Sequence, residues 1–300
     1  MSLKRTTAFI ALFLASCPFP ASAQKHKFIH YGMENGMSSN TIFKILQDKD
    51  GLMWFGTNDG LTRFDGTTLK TWRNNPSDSR SLGNNSIYSL KEDRNGTLYI
   101  GTENGLYAFD KNEELFTEIL TPKSLPEAEK NSLSNILVRS LDLDKKNRLW
   151  IATLGQGLLR YDIETGRLIR FSKGKDNKFG IDSDYITSVL CDGRGRTWCT
   201  NASQNIYLYD DDKNMFSRIH IYDERAKAEG NAAFSLCEDY QGNIWIGGWG
   251  NGLFRYDKTS GSFTNYSSLP TTEASYTPAG STLSRKWNRG SSPTAATTVL

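Results

Sequence analysis
The sequence predicts an all-β protein, a β-propeller of four-stranded antiparallel blades with five blades visible. Three observations predict it. An Asp turn followed by a large aromatic residue occurs five times, anchored at Asp48, Asp93, Asp144, Asp192 and Asp239, as Asp-x-x-Gly in four copies and Asp-x-x-Asn in the third. The aromatic positions Trp54, Tyr99, Trp150, Trp198 and Trp245 are spaced by 45, 51, 48 and 47 residues. A period of roughly 40 to 50 residues with several short strands per unit is the pattern of propeller blades. Finally, each unit holds four strand signals separated by turn residues, and aromatics reach 12% of the chain, which suits many short strands.

The first strand of each unit is an apolar stretch, beginning with Thr41–Leu46 and recurring at Ile87–Leu90, Ile136–Leu141, Ile186–Leu190 and Ala233–Leu236. The Asp turn follows. Its carboxylate can accept backbone N–H groups, and its fourth residue needs a positive φ. Gly51, Gly96, Gly195 and Gly242 fill that slot, and Asn147 fills it in the third copy. Asn is the residue that best tolerates this region after Gly. The second strand carries the aromatic anchor. The third opens on Gly-Leu and closes on an aromatic and Asp, except in copy four, which reads Asn205-Ile206-Tyr207-Leu208-Tyr209-Asp210. The fourth is a short aromatic run such as Leu69–Trp72 or Phe263–Tyr266.

These units place blades at about 39–73, 85–120, 133–171, 183–220 and 231–267 within a partial propeller spanning 24–270. One blade cannot bury its own faces, so the aromatics and turn Asp residues are expected to be structural, filling the space between neighbours. Residues 27–31 read as an orphan outer strand. Five blades and an unmatched strand suggest an incomplete ring, cut from a longer protein. Residues 271–300 are rich in Ser, Thr, Ala and Pro and read as a disordered or aberrant tail.

The ends carry export information. Lys4 and Arg5 precede the apolar run Ala8–Ala15, and Ala21-Ser22-Ala23 is a small-x-small cleavage site, so residues 1–23 read as a signal peptide. Leu14-Ala15-Ser16-Cys17 is a competing lipoprotein reading through Cys17. Either route leads to the periplasm. No later segment is long and apolar enough for a transmembrane helix. The chain carries +3, of which the leader holds +2 and the tail beyond residue 270 holds +2, leaving −1 on the propeller. That balance argues against nucleic-acid contact. Cys191, Cys199 and Cys237 are an odd set after cleavage. A bridge between Cys191 and Cys199 across one hairpin is conceivable, but small buried apolar residues are the better reading.

The run Asn35-Gly36-Met37-Ser38-Ser39-Asn40-Thr41-Ile42, followed by Asp48–Gly66, resembles the two-component regulator propeller repeat. The resemblance covers about Phe28 to Tyr266 and points to the periplasmic sensor region of Bacteroidetes hybrid two-component histidine kinases. It implies a seven-bladed ring, a second propeller and an immunoglobulin-like domain in the parent protein, and a dimer there. It further implies an oligosaccharide ligand and control of polysaccharide-use genes through kinase and DNA-binding domains that are not in this chain.

The expected activity is ligand sensing, with no catalytic residue, metal or cofactor. Candidate ligand contacts lie at the tips between second and third strands and in the loops beside them: Asn58, Asp59, Glu103, Asn104, Gln156, Gln204, Trp249 and Asn251. Amides and carboxylates beside an aromatic suit sugar hydroxyls. For each residue singly, a solvated turn is the simpler reading. The long connections Asn74–Leu82, Thr121–Asn131, Lys173–Ile181 and Tyr222–Asn231 are open to partners. An exported propeller glycosidase or lyase is the first alternative. It needs two carboxylates across a scissile bond, whereas the repeated Asp residues are occupied by turns. His26, His30 and His220 form no metal-spaced set. A protein-binding assembly propeller is the second alternative.

Overall fold
The computed structural model describes residues 29–121, 135–174, 178–202, 205–219, 232–249 and 252–266. The expected signal peptide and the expected tail lie outside these residues. The strands form five separate four-stranded antiparallel sheets, each taken in chain order. Blade 1 is β1 (Ile42–Gln47), β2 (Met53–Thr57), β3 (Gly60–Phe64) and β4 (Leu69–Trp72). Blade 2 is β5 (Ile87–Glu92), β6 (Leu98–Thr102), β7 (Gly105–Asp110) and β8 (Leu115–Leu120). Blade 3 is β9 (Leu137–Leu143), β10 (Arg148–Leu154), β11 (Leu158–Asp162) and β12 (Leu168–Phe171). Blade 4 is β13 (Ile186–Cys191), β14 (Thr197–Asn201), β15 (Ile206–Asp210) and β16 (Met215–Ile219). Blade 5 is β17 (Ala232–Glu238), β18 (Ile244–Trp249), β19 (Gly252–Tyr256) and β20 (Phe263–Asn265).

The innermost strands line up around the axis, β1 packing on β5, β5 on β9, β9 on β13 and β13 on β17. Among the described residues β17 makes no comparable contact with β1. The outer strand expected at 27–31 is not formed over its described part, because Ile29–Tyr31 carry no strand. Lys27 and Phe28 lie outside the described residues. Tyr31 packs on Phe64 instead, with ring centroids 5.0 Å apart.

The Asp turn explains why each hairpin closes. In all five copies one carboxylate oxygen accepts the backbone N–H two residues on and again four residues on, at 2.8–3.0 Å. Asn147 adopts φ 58°, beside glycines at 80–92° in the other four turns. The second carboxylate oxygen accepts the indole N–H of the following Trp at 2.8, 2.9, 3.0 and 2.9 Å in blades 1, 3, 4 and 5. One carboxylate thus ties the turn to the aromatic anchor. Tyr99 in blade 2 has no indole, and Asp93 keeps only the turn bonds among those found.

The core lies in seams between blades. The Trp54 cluster joins blade 1 to Leu98, Ile100 and Phe109 of blade 2. Tyr99 packs with Leu141, Leu149 and Ile151 of blade 3. Trp150 packs with Val189, Tyr209 and Phe216 of blade 4, and Trp198 with Leu236, Ile244 and Phe254 of blade 5. Each anchor therefore faces the next blade. Trp54, Trp150 and Trp198 are fully buried and Tyr99 is 4% exposed. Trp245, with no described blade beyond it, is half-buried and rests on Tyr266 at 5.3 Å. At the other end Met53 and Phe55 are half-buried, where their counterparts Leu98 and Ile100 are fully covered. Cys191, Cys199 and Cys237 are all unbridged. Burial pushes the Cys191 and Cys199 thiols up.

Candidate functional site
Each blade has two ends, and the residues separate cleanly between them. The inner strand runs toward the Asp turn, so its first residues lie at the opposite end. The β2–β3 hairpin tip and its equivalents lie at that same opposite end. This is the end where the candidate ligand contacts were expected.

At the Asp-turn end, Asp48, Asp50 and Glu92 converge closely enough to hold one cation. The cation that meets them is Lys111, whose Nζ donates to Asp48 Oδ2 at 3.0 Å, Asp50 Oδ2 at 2.7 Å and Glu92 Oε1 at 2.7 Å. Lys111 belongs to the β7–β8 turn of blade 2, so this cluster locks two blades together. Desolvation alone would lower its ammonium pKa, but the three carboxylates raise it above the usual lysine range. Lys111→Met is expected to lose about 2–3 kcal/mol at pH 7, because breaking a largely buried pair strands its carboxylates. Denaturant unfolding checks this, and because its bonds hold Asp48 below the usual carboxylate range, the deficit should shrink only as pH falls below about 4. An unchanged midpoint at pH 7 would mean the lock is only a surface pair.

At the hairpin end, Thr57, Thr102 and Thr153 shape the tips. Each hydroxyl donates to the carbonyl of the Gly opening the third strand, at 2.7–3.0 Å. Each also accepts a loop N–H, from Asp59, Asn104 and Gln156. Asn58 is exposed at its tip. Asp59 is half-buried and takes Arg73 Nε at 3.1 Å. Glu103 and Asn104 are half-buried, and Asn104 Oδ1 accepts Ile136 N at 3.4 Å. Gln156 is 3% exposed, and its carbonyl takes Arg170 Nε at 2.9 Å, so little of it faces solvent. Gln204, Asn251 and the Trp249 side chain lie outside what the structure describes.

Blade 4 departs from the others at this end, as its sequence does. Asn201 stands where blades 1, 2 and 3 have Thr, and Asn205 where the other four blades have Gly. Asn201 Nδ2 donates to Asp182 Oδ1 and to Tyr207 Oη, both at 3.0 Å, and Asn205 Nδ2 donates to Asp182 Oδ2 at 3.0 Å. The Tyr207 hydroxyl also donates to Asp182. Burial first, and then Asp182, push the Tyr207 phenol up. The network satisfies its own donors and pins the chain entering blade 4.

A second group at this end was not singled out by sequence reading, which took the inner strands as plain apolar stretches. Phe43 and Tyr88 stack at 4.7 Å across adjacent inner strands, and Arg139 of β9 lies 5.7 Å from the Tyr88 ring centroid. All three are half-buried, as is Lys44. Aligning the five inner strands on their turn Asp would have exposed these residues as the variable ones.

The fold and both ends define a propeller whose repeated residues serve turns and seams. The pattern of the two component regulator propeller matches residues 36–59, 81–104 and 229–250. The chain is 35% identical over 82 residues to Histidine kinase P4 of Formosa agariphila, a stretch covering 27% of this chain and 6% of that protein. Its fold is similar to the extracellular domain of a hybrid two component system protein from B. thetaiotaomicron, at TM-score 0.60 and 24% identity, covering 77% of this chain and 28% of that one. A catalytically inactive virginiamycin B lyase from Staphylococcus aureus has the same fold at TM-score 0.60 and 15% identity, covering 81% of this chain and 75% of the lyase. The chain thus spans a small part of the signalling proteins it resembles. No helix among the described residues is long and apolar enough to cross a membrane.

Proposed function
We propose that this chain is a ligand-sensing propeller of an exported hybrid two-component signalling protein, working in the periplasm and responding to oligosaccharides. The observation that supports it most is the division of labour within each repeat. The residues repeated in every blade are spent on turns and seams, which leaves the other hairpin-end residues to vary from blade to blade. Asn58, Asp59, Glu103 and Asn104 are the polar contacts offered there. In this reading the chain binds without turning over its ligand, and kinase activity and gene control belong to other parts of the protein. A second propeller, an immunoglobulin-like domain and dimerisation would carry the signal onward.

Thermal shift of the full chain against a panel of oligosaccharides tests the reading. A ligand held at 100 times its Kd should stabilise the fold by about 2.7 kcal/mol. No shift with any oligosaccharide would sink it. Release of cleaved products would replace it with an exported glycosidase or lyase.

A further inference from the structure
The innermost strands can be compared position by position by counting back from the turn Asp. Four places before it stand Lys44, Ser89, Ser140, Ser188 and Ser235. Five places before it stand Phe43, Tyr88, Arg139, Thr187 and Phe234. In blades 2 and 3 the serine ties neighbouring inner strands: Ser89 Oγ donates to Val138 O at 3.3 Å, and Ser140 Oγ to Val189 O at 3.5 Å while accepting Val189 N at 3.3 Å. Lys44 breaks this pattern and does no such work. A local departure from an otherwise consistent design points to function.

The charges around Lys44 do not balance. It lies within electrostatic reach of Lys91, Asp142, Cys237 and Arg139, which come from three other inner strands, β5, β9 and β17. Asp142 is already engaged, forming an ion pair with Lys91 and accepting Cys191 N at 2.7 Å. Arg139 has the Tyr88 ring beneath it. Among the described residues no hydrogen bond or ion pair reaches the Lys44 ammonium or the Arg139 guanidinium. Two half-buried cations therefore stand within electrostatic reach of each other, with Arg139 over one ring of a stacked aromatic pair and Lys44 next in sequence to the other. Half-buried charge is costly unless something opposite meets it. A carboxylate is the group that two such cations bind with directed hydrogen bonds, and an aromatic wall suits the apolar face of a sugar ring.

We propose that the axial end of the propeller, formed by Phe43, Lys44, Tyr88 and Arg139, binds an acidic sugar through its carboxylate. This rests on the sensing reading and narrows its ligand class. Lys44 and Arg139 hold the carboxylate, and Phe43 and Tyr88 form the adjoining wall. The Lys44 amine is pulled down to about 8, by desolvation first and by Lys91 next. Its charge, and with it carboxylate binding, should be present below pH 8 and fade above it.

Calorimetric titration of the full chain with glucuronate, acetate and glucose tests this. Glucuronate should bind at pH 6.5, acetate at least about tenfold more weakly, and glucose not at this site. Binding should weaken by tenfold or more at pH 9.5. Lys44→Ser installs the residue that the other four blades carry, so it should keep the wild-type Tm while losing at least tenfold in glucuronate affinity. Arg139→Gln should do the same and serves if the first variant misfolds. Unchanged affinity in both variants, or no glucuronate binding by the wild type, overturns the proposal. Acetate binding as tightly as glucuronate overturns its sugar half. Neutral oligosaccharides that stabilise the chain when glucuronate does not would sink this site and leave the sensing reading standing.

Discussion
Trp150→Ala is expected to cost the chain about 3–5 kcal/mol, the range for removing a large buried aromatic. Trp150 is fully buried at the seam of blades 3 and 4. Its ring stacks on Phe171 at 5.6 Å and meets Tyr209 edge-on at 4.8 Å and Phe216 at 6.0 Å. Arg160 covers it at 5.5 Å, and its indole N–H is held by Asp144 at 2.9 Å. The change opens a cavity, leaves Asp144 Oδ2 with Arg148 Nε alone at 2.6 Å, and removes the partner of three rings at once. A typical domain has only about 5–15 kcal/mol in hand, so the variant should melt far below the wild type or fail to accumulate folded. Thermal unfolding followed by circular dichroism measures it. A variant with wild-type Tm and lost sugar binding would show instead that this Trp is a ligand platform.

Asp192→Ala should be comparably severe, at about 3–5 kcal/mol. The carboxylate is buried and serves four donors: the backbone N–H of Arg194 and Arg196 at 3.0 and 2.8 Å, the Trp198 indole at 3.0 Å and Arg196 Nε at 2.7 Å. Removing it leaves a guanidinium and an indole without their acceptor, which costs more than the pair itself contributes. Asp192→Asn should lose less, because one amide oxygen still accepts the turn N–H groups. The same carboxylate sets a pH dependence. Burial alone would raise its pKa, but the Trp198 and Arg196 bonds outweigh burial and hold it below the usual range. Asp48 and Asp239 are lowered by bonds of the same kind, and Asp211 is held at about 2 by Lys146 and Arg148. A depressed folded-state pKa stabilises above the unfolded value of about 4 and loses that stability as pH falls. Stability should therefore drop between about pH 4 and about pH 2, and Asp192→Ala should show a shallower drop than the wild type. An equal slope would mean that the carboxylate is not linked to folding.

Much of the fold could be read from the chain because one blade's rules are local. The Asp, the turn Gly and the Trp sit at fixed short distances, and repetition removes ambiguity from each copy. Asn147 in the left-handed region and the four strands of every blade follow from the same local chemistry. What sequence could not show depends on residues far apart. The bond from Asp to indole joins two residues read as separate structural signals. Lys111 reaches Asp48 across a blade boundary, 63 residues away. The strand expected at 27–31 rested on composition alone, and Tyr31 found a better partner in Phe64. The candidate site was legible only at its tips. Asn58 stands exposed and Glu103 half-buried at the tips where their position put them, but the buried Gln156 shows that a polar tip residue can serve the fold. Lys44 and Arg139 escaped notice because one cation in an apolar strand looks like an ordinary exposed side.

The seams between blades have a consequence for how the molecule loosens. Among the described residues, blades 2, 3 and 4 are each gripped on both sides, whereas blades 1 and 5 are gripped on one. Where coupling runs only between nearest neighbours, a blade held on one side opens more readily than one held on both. Phe43 and Lys44 sit on a blade that the described residues hold on one side, while Arg139 sits on one held on both. An anion bridging them would fasten a loose end to a firm centre, turning occupancy into order.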